Sequence, residues 1–207
     1  MPTRREHDFL GELDIPNDLY YGIQTYRAKE NFNITGIPIS KELRFIKALG
    51  YVKKAAALAN RDCGVLDDKV TEAICYGCDQ LIAGKYQDQF VSDLIQGGAG
   101  TSCNMNANEV IANLGLEYLG YKKGDYEHVH PNNHVNCSQS TNDAYPTAFR
   151  IALYMKMTDY IKILEDLENA FRKKGQEFAH VLKMVRTQLQ DAVPMTLGQE
   201  FNAFATT

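Results

Sequence analysis

The strongest periodic signal in the chain begins at Phe149. Phe149, Leu153, Met157, Tyr160, Leu164, Leu167 and Phe171 step by 4, 4, 3, 4, 3 and 4 residues, the repeat of one face of an α-helix. At about 1.5 Å per residue, a helix of roughly thirty residues is on the order of 45 Å long, more than a domain of this size usually houses. A stripe of that length needs apolar neighbours, as in a helical bundle. The chain supplies few: after "HVLKMVRTQLQDAV" comes one more helix start at "PMTLGQEFNAFATT". It is therefore expected to be incomplete relative to the fold it encodes. Upstream, the same period predicts three shorter helices. The first follows Ser40 as N-cap, carries Leu43, Ile46, Val52 and Ala56 on one face, and ends near Asn60. The second starts at about Asp67, turns Val70, Ala73, Ile74, Leu81 and Ile82 inward, and stops at Gly84. The third runs from about Asn106 to Leu119 and is closed by Gly120. Ahead of Ser40, turns mix with short extended pieces such as "LDIPNDLYYGIQT" and "NFNITGIPIS".

Two polar segments interrupt this pattern. "HVHPNNHVNCSQSTNDAYPTA", residues 128–148, is too polar for a core and too ordered in its flanks for a linker. "QGGAGTSCNMNANEV" is a glycine-rich turn feeding a helix start, where free backbone N–H groups favour an anion. Several sharper chemistries fall away on spacing. Cys75 and Cys78 form a C-x-x-C inside a helical pattern with no strand-helix-strand context, which favours packing over redox or zinc. His128, His130 and His134 lack a second cluster at metal-ligand spacing. The "GGAGTS" turn lacks the lysine of a phosphate-binding loop. The serines of "CSQSTND" have neither a G-x-S-x-G elbow nor an S-x-x-K partner. What remains is a set of short neutral donors at helix starts or links: Thr101 with Ser102, then Ser140, Thr141 and Asn142, then Thr187 with Gln188 in a link between helices. Such donors suit carboxylates that must be oriented and also released.

Composition narrows the partners. At 207 residues with 44% apolar and 23% charged residues, the chain is long enough for a real core. No apolar run approaches the roughly 18–20 residues of a membrane span, and the N-terminus shows no secretory signal, so a soluble, cytoplasmic protein is expected. Five cysteines do not form a disulfide framework. A net charge of −4 argues against nucleic acid. No cofactor and no metal is expected, and an anionic ligand must be held by local donors.

The polar segments, taken together, resemble the fumarase/aspartase superfamily along essentially the whole chain, its aspartate ammonia-lyase branch most closely. "YYGIQTYRAKENF" is similar to the family's N-terminal block, "GGAGTSCNMNANEVIAN" and "HPNNHVNCSQSTNDAYPTA" to its first conserved region, and "RTQLQDAVPMTLGQEF" to its second. The resemblance implies a mainly α fold, with an N-terminal domain over residues 1–137 and the first part of a central helical bundle over 138–207. It also implies a homotetramer whose active sites draw on several subunits. Carried over by position, Thr101, Ser140 and Thr141 hold the β-carboxylate of L-aspartate, while Asn142, Thr187 and Gln188 lie near its α-carboxylate and amino group. His130, Asn132 and Asn133 fall where fumarases have a second, peripheral anion site.

The implied reaction is that of a carbon-nitrogen lyase: removal of a C3 proton from L-aspartate gives an aci-carboxylate, which expels ammonia and leaves fumarate. Donors aimed at the β-carboxylate would stabilise the second negative charge it acquires. Position 188 bears on the substrate. A fumarase-like chain usually reads Thr-His-Leu-Gln here, and an expelled hydroxide profits from an acid such as histidine. This chain reads "TQLQ", and ammonia leaves from an ammonium that already carries its proton. A class II fumarase-like hydro-lyase stays open as the alternative, as does a non-catalytic helical remnant that binds dicarboxylates weakly. The family's G-S-S-x-M-P-x-K-x-N loop, which supplies the general-base serine, is not in the chain. No catalytic residue is therefore assigned, and the chain alone is expected to be inert without a complementing C-terminal half. Val185 stands where the family usually has glycine and is expected to strain the turn presenting Thr187 if that turn needs a positive φ. Cys103 replaces a more usual residue beside the site and is expected to make it thiol-sensitive.

Overall fold

The computed structural model describes residues 2–95 and 98–207. Gly97, the first glycine of the "GGAGTS" turn, lies outside the described residues. The protein is mainly α-helical, and its chain divides into two compact units, Met1–Tyr154 and Met155–Thr207.

The first unit opens on an antiparallel hairpin of β1 (Thr3–Asp8) and β2 (Gly11–Pro16), in register from Thr3 opposite Pro16 to Asp8 opposite Gly11. A short helix α1 (Ile23–Asn31) follows. Its start is held by carboxylates rather than by a cap of its own. The buried Glu109 accepts from the backbone N–H groups of Gly22, Gln24 and Thr25 at 2.9, 2.9 and 3.1 Å, and Glu6 accepts from that of Ile23 at 2.8 Å. Negative charge at a helix N-terminus is favourable, and these acceptors come from distant sequence, which is why no local periodicity announces α1.

Helices α2 (Leu43–Asp62), α3 (Asp68–Ile82) and α4 (Thr101–Tyr118) build the core, α2 against α3 and α3 against α4. Ile46, Leu49, Ile74, Leu81, Ile111 and Leu114 are fully buried between them. Gly77 sets the closeness of α3 and α4, since a Cβ there would stand 2.8 Å from the Ile111 carbonyl oxygen. The second predicted helix matches α3: Asp67 accepts from Val70 N–H at 2.8 Å as N-cap, and Gly84 takes φ +81° after the last turn. The other two helices differ at their ends or in their phase. Ser40 is not a cap; it sits in a 3-10 turn, Ile39–Lys41, and Glu42 precedes α2. The buried face of α2 carries Phe45, Ile46, Leu49, Lys53, Ala57 and Asn60, while Leu43 is exposed. Two polar residues hold inner positions because partners wait for them there, which shifts the face away from the apolar pattern. For the same reason α4 starts at Thr101 rather than near Asn106: Asn104, Asn106, Asn108, Glu109 and Asn113 are all buried, so no apolar stripe marks its first turns.

Helix α5 (Thr141–Glu177) begins in the first unit, where Ala144, Ala148 and Ala152 turn inward at helical spacing. In the second unit it carries Met157, Tyr160, Leu164 and Leu167, all exposed; Phe149 and Leu153 continue this stripe backwards. No helix among the described residues is long and apolar enough to cross a membrane.

The expected link between helices at Thr187 is instead a hairpin of β3 (Leu182–Thr187) and β4 (Gln190–Thr196), followed by α6 (Leu197–Thr206). Its two-residue loop, Gln188 and Leu189, has φ +52° and +64°, the sign demanded by the turn whose twist matches an antiparallel pair. Val185 does not adopt positive φ; it lies in β3, where the register shifts between Met184 and Arg186, and a β-branched residue suits that extended backbone. The strain expected at Val185 falls on Gln188 and Leu189. Thr196 and Gln199 form a reciprocal capping box at the start of α6. Phe201 and Phe204 of α6 pack on Phe171, with ring centroids 6.1 and 5.8 Å away.

Candidate functional site

The segment from Pro131 to Asn142 is shaped by its own polar side chains. A π-helical turn, Pro131–Val135, is capped by His130, whose Nδ1 accepts from the N–H groups of Asn132 and Asn133 at 3.0 and 3.2 Å. Asn136 and Gln139 then fold the chain back. Asn136 Nδ2 donates to the Gln139 carbonyl at 3.0 Å, and Gln139 Nε2 donates to the carbonyls of Val135 and Cys137 at 2.9 and 3.2 Å. This turn delivers Ser140 to the start of α5. Its Oγ accepts from Asn142 N–H at 3.2 Å, and its carbonyl accepts from Asp143 and Ala144, the arrangement of an N-cap.

Beneath this turn lies a buried polar cluster. Lys53, fully buried, donates from Nζ to Asn136 Oδ1 at 2.9 Å and to Gln139 Oε1 at 3.0 Å. The same Asn136 oxygen accepts from Asn104 Nδ2 at 3.0 Å and Asn108 Nδ2 at 3.2 Å. Asn104 Nδ2 also donates to Thr141 Oγ1 at 3.1 Å. Burial pushes the Lys53 ammonium down to about 7. The lysine is held because its two contacts run from donor to acceptor, while the buried Asn104 Oδ1 and Asn108 Oδ1 have no partner among the described residues.

The first turn of α4 lies beside the first turn of α5. Gly100 precedes Thr101 with φ +88°, and a side chain there would run into the ring of Tyr145. Both constraints demand glycine. Leu94, Ile95, Ala99, Gly100, Asn142, Tyr145 and Pro146 line an open cavity of about 440 Å³ between these turns. Thr101, Ser140 and Asn142 are exposed and Thr141 is half-buried. Of the six expected substrate contacts, the first unit thus gathers Thr101, Ser140, Thr141 and Asn142 around two adjacent helix starts. Thr187 and Gln188 belong to the second unit, at the end of β3 and in the hairpin loop.

His130, Asn132 and Asn133 do not share one cavity. His130 and Asn133 line a space of about 540 Å³ with Arg5, Glu6, Asp125 and Glu127, whereas Asn132 lines another, of about 890 Å³, with Arg27 and Ser102. His134 Nδ1 accepts from the His130 N–H at 2.9 Å, and burial lowers the pKa of both rings. Among the described residues, no three His, Cys, Asp or Glu side chains gather as a metal site. Cys78 is fully buried and Cys75 partly so, and burial raises both thiols, which makes poor nucleophiles of them. Burial also raises the Cys103 thiol, to about 12, away from the reactivity expected of it.

Sequence reasoning missed Lys53, Asn104, Asn136 and Gln139. One signal was available: Lys53 falls in phase with Ile46, Leu49, Ala57 and Asn60, a lysine at a core position that requires buried acceptors.

Fold and geometry define a helical protein that sets short neutral donors at two adjoining helix starts. The model of the family Lyase_1, described as Lyase, matches residues 11–207, and the chain belongs to that family. It is 59% identical over 202 residues to an aspartate ammonia-lyase of Helicobacter pylori (strain J99 / ATCC 700824), covering 98% of this chain and 43% of that protein. It is 52% identical to the aspartate ammonia-lyase of Escherichia coli (strain K12), covering 98% of this chain and 42% of the relative. Among solved structures, the fumarate lyase:delta crystallin from Brucella melitensis bound to cobalt superimposes with TM-score 0.93 at 56% identity, over 99% of this chain and 45% of that one. A recombinant class II fumarase from Schistosoma mansoni superimposes with TM-score 0.85 at 35% identity, over 99% of this chain and 43% of that one. The chain thus spans less than half the length of the relatives it matches.

Proposed function

We propose that this chain supplies carboxylate-binding donors to an aspartate ammonia-lyase, which converts L-aspartate reversibly to fumarate and ammonia. The observation that carries the reading is the meeting of the starts of α4 and α5, where Asn104 Nδ2 donates to Thr141 Oγ1 and Asn142 lines the cavity between the turns, with Thr101 and Ser140 at the same two helix starts. Thr101, Ser140 and Thr141 hold the β-carboxylate. As the C3 proton leaves, that carboxylate acquires a second negative charge as an aci-carboxylate, and donors already aimed at its oxygens stabilise it most at that moment. Asn142, Thr187 and Gln188 serve the α-carboxylate and amino group. The left-handed turn at Gln188 presents a neutral amide where a hydro-lyase profits from an acid, which supports ammonia rather than water as leaving group.

The proton is taken by a base outside this chain, so the chain alone is inert. The exposed stripe on α5 packs in a homotetrameric, cytoplasmic enzyme, with residues 1–137 as N-terminal domain and 138–207 as the beginning of its bundle. The peripheral anion site at His130, Asn132 and Asn133 rests on family likeness alone, since His130 already accepts from the two asparagine N–H groups.

Ultraviolet detection of fumarate, with L-aspartate and L-malate offered separately to the protein as its natural gene expresses it, tests this reading. Fumarate from aspartate only is expected. Fumarate from malate would establish the hydro-lyase instead. Fumarate from neither, in a folded protein, would leave a non-catalytic dicarboxylate binder.

A further inference from the structure

A carboxylate offers only acceptors, so a hydroxyl that binds it must point its single O–H at the ligand. Which way a threonine O–H points is decided by what faces it from behind. Behind Thr141 stands Asn104 Nδ2, a donor, at 3.1 Å. The orientation of that amide is in turn fixed by Asn136, whose Oδ1 accepts from Asn104 Nδ2 at 3.0 Å and from Lys53 Nζ at 2.9 Å. Lysine ammonium has donors and no acceptor. Were Asn136 or Gln139 flipped, its NH₂ group would face the ammonium, and the donations of Asn136 Nδ2 to the Gln139 carbonyl and of Gln139 Nε2 to Val135 and Cys137 would be lost as well.

We propose that Lys53, Asn136 and Asn104 form a hydrogen-bond polarity relay that fixes Thr141 as a donor toward its ligand. Lys53 sets the direction at one end. Asn136 passes it on by turning its oxygen toward both the lysine and Asn104 Nδ2, and Asn104 passes it on by turning its nitrogen toward Thr141. Thr141 Oγ1 receives a proton donor from the protein and turns its own O–H outward. Lys53, Asn136 and Asn104 are thus positioning residues: none is proposed to touch substrate, yet together they select an acceptor ligand, carboxylate, over a ligand group that donates, such as a carboxamide. The inference rests on the reading of Thr141 as a carboxylate contact.

The test compares binding of succinate with that of succinamate, its monoamide, to the protein as its natural gene expresses it, at about pH 6, below the value of about 7 to which burial lowers Lys53, so that the lysine is an ammonium. Asn104→Asp places an acceptor behind Thr141, which must then donate inward and present lone pairs to the ligand. Asn136→Asp adds the same buried charge but keeps its acceptor toward Lys53 and Asn104. The relay predicts that Asn104→Asp lowers the succinate-over-succinamate preference at least about tenfold more than Asn136→Asp does, the scale of a hydrogen bond to a charged group. A merely structural role weakens both ligands alike and leaves the ratio unmoved. Lys53→Met, which adds no charge, is expected to lower the ratio as well, and serves if either aspartate variant fails to fold. Equal ratios in the two aspartate variants, or an unchanged ratio in Lys53→Met, would overturn the relay. Thr141→Val separates the two ideas: if it leaves succinate binding intact, the carboxylate reading of Thr141 has failed, not the relay alone.

Discussion

Lys53 shows how one residue couples the core to the site. Its ammonium is held down to about 7 by burial, against 10.5 when exposed in the unfolded chain. Between those values the unfolded state binds more protons than the folded one, so this group makes stability rise with pH across that window and contributes no slope below it. The difference in unfolding free energy between the wild type and Lys53→Met, measured by urea titration from pH 7 to pH 10, is expected to carry that rising slope. Gly100 makes a second prediction. Gly100→Ala puts a methyl group at φ +88° and against the Tyr145 ring. It is expected to cost about 2 kcal/mol or more of stability, read from the same titration. At this scale Ser140, Thr141 and Asn142 were legible as a helix start, because they precede an apolar helical run and a serine hydroxyl there caps the free N–H groups. Asn104 and Asn136 were not, because an asparagine reads as loop or cap until the buried lysine that orients it is seen.

Elements were legible where their own apolar spacing defined them. The helix α3 carried a stripe, a cap and a glycine stop in sequence, and all three hold in the structure. The helices α1 and α4 did not read so clearly, since their termini and polar faces are satisfied by groups far away, Glu109 for α1 and the 136–141 turn for α4. The hairpin of β3 and β4 was hidden for another reason. Its two-residue turn is made by Gln188 and Leu189, neither of which is a customary left-handed residue, and Leu189 is fully exposed. Relieving that conformation is expected to stabilise the protein: Leu189→Gly should gain up to about 1 kcal/mol, whereas Leu189→Val, β-branched at φ +64°, should lose a similar amount. Thermal unfolding of the two variants checks the sign of each change.

For the whole molecule, the exposed stripe of α5 is the feature that the chain leaves open. Phe149, Leu153, Met157, Tyr160, Leu164 and Leu167 lie between 39% and 54% exposed, a continuous apolar line that water does not favour. If this line is the seam of an oligomer, Leu153→Glu with Leu164→Glu should reduce the sedimenting mass to that of a monomer while the far-ultraviolet helix signal persists; an unchanged mass would remove the stripe from the interface. The stripe was plain in the sequence, since spacing alone defines it, but its partners are not legible in one chain.

The donors at the starts of α4 and α5 either serve a lyase whose base lies elsewhere or serve no catalysis at all. The most direct test is fumarate release from L-aspartate, followed by ultraviolet absorbance, for this chain alone and for this chain mixed with a separately made C-terminal half of a close relative. Fumarate from the mixture and none from the chain alone is the predicted result. Fumarate from the chain alone, or none from a mixture shown to assemble, would contradict it.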